Sequence, residues 1–224
     1  MEEFPMKIND YVFADQLTVY LEEKGVSFDE EGFPILPSSC YATREPEYII
    51  PWNHRKAAPD KKRTALCFFM NDNLLYPRFE TIKKDIEELK EYSSFVSMDI
   101  SVSRNMPIAM HIADMRLNAL YSAALAIQKE ETYIPSLRCG DETTLHYLNR
   151  YHTPPLVALG MHGCYHSDNI DFDDYLLRSK LLMVRPKKVL IYGKPTDRDI
   201  ETFHALGIPY GSYPDFRTLC KERR

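Results

Sequence analysis

Seven residues of this chain have types and positions that could do chemistry: Asp72, Asp99, Ser101, Arg116, Arg138, Asp141 and His162. Carboxylates and imidazoles move protons, and carboxylates also anchor divalent cations. A guanidinium's planar fork grips phosphate or carboxylate through paired hydrogen bonds. Asp72 closes the apolar run Thr64–Asp72 (TALCFFMND), and Asp99 and Ser101 close Phe95–Ser101 (FVSMDIS). Arg138, Cys139 and Asp141 end or follow Thr132–Cys139; His162, Cys164 and His166 end or follow Pro155–Gly163; Gly193 and Lys194 end Lys187–Gly193. Asp99 and Arg138 sit within or at the edge of apolar stretches, where a charge has to be paired or used. Asp72, Asp99, Asp141 and His162 are therefore the catalytic candidates. Ser101, Arg116 and Arg138 are the candidates for holding an anionic substrate.

Each has an ordinary structural duty to weigh against that role. Asp72 can cap a helix or make a turn, and Asp141, directly after Gly140, can cap the helical run that follows it. Asp99 can form an ion pair with Arg116 or Arg138, Ser101 can cap a helix, and Arg116 can lie at the surface. His162-Gly-Cys164-Tyr-His166 invites a zinc reading, but H-x-C-x-H matches no strong ligand template and Cys139 would have to supply the fourth ligand. Cys139 or Cys164 beside His162 would be a nucleophile. No metal site is assigned, and the cofactor is left open.

The elements that would position these residues are read from periodicity. Thr64–Asp72 is apolar almost throughout, as a strand buried on both faces is. Phe79, Ile82, Ile86 and Leu89 then recur at helical spacing between charges. The same strand–helix unit recurs with strands at Phe95–Ser101, Thr132–Cys139, Pro155–Gly163 and Lys187–Gly193. Pro107 suits the first turn of a long, largely apolar helix, and Gly207 is the expected stop of the last one. The fold class is thus α/β with a mostly parallel sheet: TIM-barrel-like, as an incomplete or irregular barrel, or alternatively an open doubly wound sheet. In either, function gathers at the carboxyl ends of the strands, where these candidates fall. No nucleotide-type glycine fingerprint is present.

Residues 1–60 are rich in proline and patchy in apolar residues, with one helix expected from Asp10 to Lys24 and a short strand at Glu47–Pro51. They read as an arm or cover on an α/β domain of residues 61–224. The 224 residues are 44% hydrophobic and 27% charged, a globular balance without an apolar run of the roughly 18 residues that a spanning helix needs. The acidic start, broken by Pro5, does not look like a secretory signal, and five scattered cysteines read as reduced thiols. A cytoplasmic location without membrane association is expected. With 28 basic and 33 acidic residues the net charge is −5, which counts against general nucleic-acid binding despite the Lys61–Arg63 cluster and the basic tail.

Several blocks together resemble domain of unknown function 4417, a family of phages, plasmids and bacterial genomes. They are the F-x-N-D stretch ending at Asp72 with Phe79-Glu80, D-I-S at Asp99–Ser101 with Met106-Pro107, and Arg116. Ile134–Asp141 and Val157–Gly160 complete the set. The resemblance spans roughly Ala65–Gly193. The chain departs from the family pattern at Asn71, Met98, Asn105, Ala113 and Cys139. The resemblance implies a phage or mobile-element setting, with the host cytoplasm as location, and carries no reaction. Three functions compete. One is an enzyme acting on a nucleotide-like or phosphorylated small molecule, a small anionic ligand in either case. The others are a protein-interaction module using an exposed patch around Tyr41, Tyr48 and Trp52, and a nucleic-acid-binding protein.

Overall fold

The computed structural model describes residues 8–102, 106–161 and 170–222. Helix α1 (Ile8–Glu23) stops at Gly25, whose φ of 79° is one that side chains rarely adopt. A short hairpin, β1 (Ser27–Phe28) and β2 (Pro34–Ile35), turns on Asp29, whose Oδ1 accepts from the backbone N–H groups of Glu31 and Phe33 at 3.0 and 2.8 Å.

The sheet then builds in chain order. Strands β3 (Tyr48–Pro51), β4 (Thr64–Cys67), β5 (Ser94–Val96) and β6 (Tyr133–Ile134) form one parallel ladder. Strands β7 (Leu156–Gly160), β8 (Lys188–Tyr192) and β9 (Tyr210–Tyr213) form a second. A parallel bridge from Ser136 to Ala158 joins the two. Between the strands come α2 (Asp72–Leu75), α3 (Pro77–Glu80), α4 (Ile82–Leu89), α5 (Ile108–Ala126), a 3-10 helix at Glu142–Arg150, α6 (Ile170–Val184) and α7 (Asp197–Leu206); α8 (Phe216–Glu222) follows β9. The expected α/β architecture of parallel strands is present. The expected helix at residues 141–151 is 3-10 rather than α. Gly207 ends α7 in the left-handed region, as its position predicts.

The two sheet faces differ. Ile49, Ala65, Cys67, Val96, Ile134, Ala158 and Leu190, alternate residues of six strands, pack in a cluster without helical residues. Their neighbours Leu66, Phe95, Tyr133, Val157, Val189 and Ile191 pack with the helices. Seven strands laid flat would set β3 and β9 roughly 29 Å apart. Yet the Tyr213 hydroxyl donates to Pro46 O at 2.9 Å, Lys188 pairs with Glu45 at 2.7 Å, and the His54 and Phe216 rings stack at 4.0 Å. The sheet therefore curls until its ends meet, although no ladder joins β3 to β9 among the described residues.

The strand expected at Glu47–Pro51 is thus part of the main sheet, so the segment before residue 60 supplies one of its strands. Trp52 and Tyr41 are buried, with Trp52 stacked on Phe68 at 5.3 Å, and Tyr48 is half-buried, so these three do not make the exposed patch that an interaction module would use. The basic cluster is met by acids, since Lys61 pairs with Glu91 and Arg63 with Glu47. No helix of the described residues is long and apolar enough to cross a membrane.

One buried carboxylate ties the helices together. Asp85 on α4 accepts from the Tyr121 hydroxyl at 2.5 Å and pairs with Arg78 at 3.1 Å. Burial pushes its carboxyl above the ordinary value of 3.8, against the lowering effects of Tyr121 and Arg78. The native state then holds more protons than the unfolded chain between those two values. This contribution to stability is complete below 3.8 and is lost as pH rises through the raised value. Asp85→Asn is expected to flatten that decline relative to wild type in urea midpoints measured from pH 4 upward. Parallel profiles would refute it.

Candidate functional site

The backbone beyond β5 is held by side chains rather than by a ladder. Ser122 Oγ on α5 accepts from Met98 N–H at 2.9 Å. One turn earlier Asn118 closes a two-way contact with Ile100, its Oδ1 accepting from the N–H at 2.8 Å and its Nδ2 donating to the carbonyl at 3.1 Å. Asp99 is pinned between these anchors and is 5% exposed. Asn118 on the long apolar helix thus faces the polar end of the core, as its position suggests.

Of the two arginines expected to pair with Asp99, it is Arg138 that does so. Arg138 Nε donates to Oδ1 at 2.8 Å, Nη2 donates to Oδ2, and the Ser136 hydroxyl lies 3.3 Å from Oδ1. Ser136 is fixed in turn by Ser97, whose hydroxyl donates to Ser136 Oγ at 2.9 Å and accepts from its N–H at 2.6 Å. Beside this network, at the carboxyl ends of β4 to β7, opens a cleft of about 60 Å³ walled by Phe69, Asp99, Arg138, Gly160 and Lys180. Phe69 stacks on Tyr192 at 5.8 Å and crosses so close to Gly160 that a Cβ there would lie 2.8 Å from the ring.

Asp72 and Ser101 form a second pair, with the N–H and hydroxyl of Ser101 both donating to Asp72 Oδ1 at 3.1 Å. Asp141 caps the 3-10 helix. It accepts from the Thr143 hydroxyl and N–H at 2.6 and 3.0 Å, and the hydroxyl bond chiefly holds its carboxyl below the usual range. Arg116 donates to Gly32 O at 3.0 Å and Thr18 Oγ1 at 3.2 Å, fastening the N-terminal segment to α5. The structure thus joins Asp99 with Arg138 and Asp72 with Ser101, and gives Asp141 and Arg116 partners of their own. His162, Cys164 and His166 lie outside the described residues. Cys139 is buried, and burial pushes the Cys67 thiol far up. Among the described residues no group of three His, Cys, Asp or Glu could hold a metal ion.

Two basic residues missed by the sequence reading belong to this region. Lys180 of α6 walls the cleft, and Arg150 lines a neighbouring recess with Ser97, Ser136 and Arg138. Both fall in helical segments whose pattern makes a basic residue look like part of a solvated face. Away from them, α1, α3, α4 and Ala124 of α5 enclose a groove of about 580 Å³ with Phe13, Leu17, Phe79 and Ile86 in its walls.

Residues 28–210 match the family described as domain of unknown function (DUF4417). The chain belongs to the DUF4417 family. No curated protein and no solved structure matches it. The span matched to DUF4417 holds Asp72, Asp99, Arg138, Arg150 and Lys180, and leaves α1 and α8 outside. Of the five positions expected to depart from the family pattern, four are among the described residues. Met98 is anchored by Ser122, Cys139 is buried, Asn71 is the exposed residue preceding α2, and Ala113 lies on α5. Asn105 is outside the described residues.

Proposed function

We propose that this chain is an enzyme acting on a nucleotide-like or otherwise phosphorylated small molecule at the carboxyl ends of its strands. The single observation that carries the reading is the Asp99–Arg138 pair, placed by dedicated contacts from α5 and from Ser136 in the segment after β6, beside an open cleft that also presents Lys180. Such ends are where parallel α/β folds keep their sites. Asp99 is the proton-handling carboxylate, Arg138 positions it, and Lys180 attracts negative charge. The cleft accepts one anionic group, so the remainder of the substrate would lie outside it. Asp72 with Ser101 is a candidate second contact. The host cytoplasm and a mobile-element origin fit this reading.

A panel of phosphorylated metabolites and nucleotides, screened for turnover with wild type and Asp99→Asn, tests the proposal. Turnover in wild type that falls at least about 100-fold in the variant supports it, since general acid–base groups contribute on that scale. Turnover that survives the substitution removes Asp99 from the chemistry. A second reading, a protein-interaction module, is favoured by the apolar groove between α1 and α4. Capture of an amphipathic partner helix, abolished by Phe13→Glu, would support it.

A further inference from the structure

Arg150 is the last residue of the 3-10 helix, and its guanidinium carbon lies 4.5 Å from the centre of the Phe33 ring and 5.0 Å from that of Tyr151. Two aromatic contacts fix such a cation without neutralising it. Its Nε and Nη1 are shielded from solvent and have no hydrogen-bond partner, and no carboxylate pairs with it among the described residues. Shielded guanidinium N–H groups ordinarily find an acceptor. Arg150 lines a recess with Ser97, Asn118, Ser136 and Arg138, with about 10 Å³ of free space. That is room for one oxygen atom.

The other arginines at hand are committed. Arg138 spends Nε and Nη2 on Asp99, and Arg116 is bonded to Gly32 and Thr18. We infer that Arg150 is the anchor of an oxyanion, one oxygen of a phosphoryl or carboxylate group entering the recess to accept from its shielded Nε–H. This rests on the reading of the neighbouring cleft as a substrate site and assigns that substrate's charged group to Arg150. Recess and cleft share Ser136 and Arg138, so a molecule held at Arg150 would reach along Arg138 toward Asp99.

The test uses the full chain and three probes at matched ionic strength: sodium phosphate, sodium acetate and sodium chloride. Binding is followed by calorimetry and by the arginine Nε–H signals in ¹H–¹⁵N spectra. Phosphate is expected to bind wild type, to shift the Arg150 Nε–H signal, and to bind Arg150→Met about tenfold more weakly or worse. Arg185→Met, at an exposed arginine, should bind as wild type does. A response to acetate equal to that to phosphate identifies a carboxylate as the group held, and the anchor stands. If neither anion does more than chloride, the inference falls. It falls equally if Arg150→Met binds phosphate as wild type does, and the enzyme reading then survives with Arg138 or Lys180 as the contact. Phosphate binding that depends on Arg150 without turnover of any substrate leaves the anchor standing and removes the enzyme. Should Arg150→Met fail to fold, Arg150→Lys keeps the charge but not the fork and replaces it, and an Nε–H signal unmoved by phosphate overturns the inference by itself.

Discussion

Arg138→Met is expected to lower stability by about 3 kcal/mol, and Asp99→Asn combined with it is expected to restore much of that loss. Asp99 is buried, and without Arg138 its carboxylate keeps, among the described residues, only the 3.3 Å contact from Ser136. Breaking a buried ion pair from one side leaves an uncompensated charge, which costs about 3–5 kcal/mol. The low end applies because Arg138 is 27% exposed and water can enter its place. In a chain of this length that corresponds to a fall of roughly 6–12 °C in Tm. The double variant carries no charge at the site, so removing both partners should cost less than the sum of the two single changes. A thermal melt of the four proteins gives the coupling directly. If the double variant is as unstable as the two single losses added together, the two residues do not act as a pair.

The pair itself was legible in the sequence because a charge inside an apolar strand is costly and must be answered. The choice of Arg138 over Arg116 was not, since Arg138 ends an apolar strand and Arg116 interrupts an apolar helix, and only the folded chain shows Arg116 reaching Gly32. The alternation of strands and helices was readable for a related reason: strands buried on both faces leave continuous apolar runs, and their helices leave a period near four. The strand ends were not. Phe68–Asp72 and Ser97–Ser101 continue the apolar pattern, but the ladders stop at Cys67 and Val96. Beyond Val96, Ser122 and Asn118, far off in the chain, take over the backbone bonds of Met98 and Ile100. Trp52 shows the limit of composition. A proline-rich segment gives no periodicity from which its burial can be read, while in the fold Phe68 stacks on it and Arg55 and Arg78 lie against it.

That substitution of side-chain for ladder bonds makes Asn118 the second residue with a large expected effect. Asn118→Leu keeps the approximate shape but leaves both the N–H and the carbonyl of Ile100 without a partner in a buried region. Each unmet group costs about 1–3 kcal/mol, so a loss of about 2–6 kcal/mol is expected, or roughly 4–24 °C in Tm. Ser122→Ala strands only the Met98 N–H and should cost about half as much. Asn118→Asp separates the two bonds, because its carboxylate can still accept from Ile100 N–H but cannot donate to the carbonyl. Hydrogen exchange at the Ile100 amide reads this out: protection should collapse in Asn118→Leu and persist in Asn118→Asp. Asp99 lies between the two anchored residues, so Asn118→Leu should also weaken whatever Asp99 does by more than the fraction unfolded explains. An Ile100 amide equally protected in the leucine variant would mean that α5 does not hold this segment, and the account of how Asp99 is placed would fail with it.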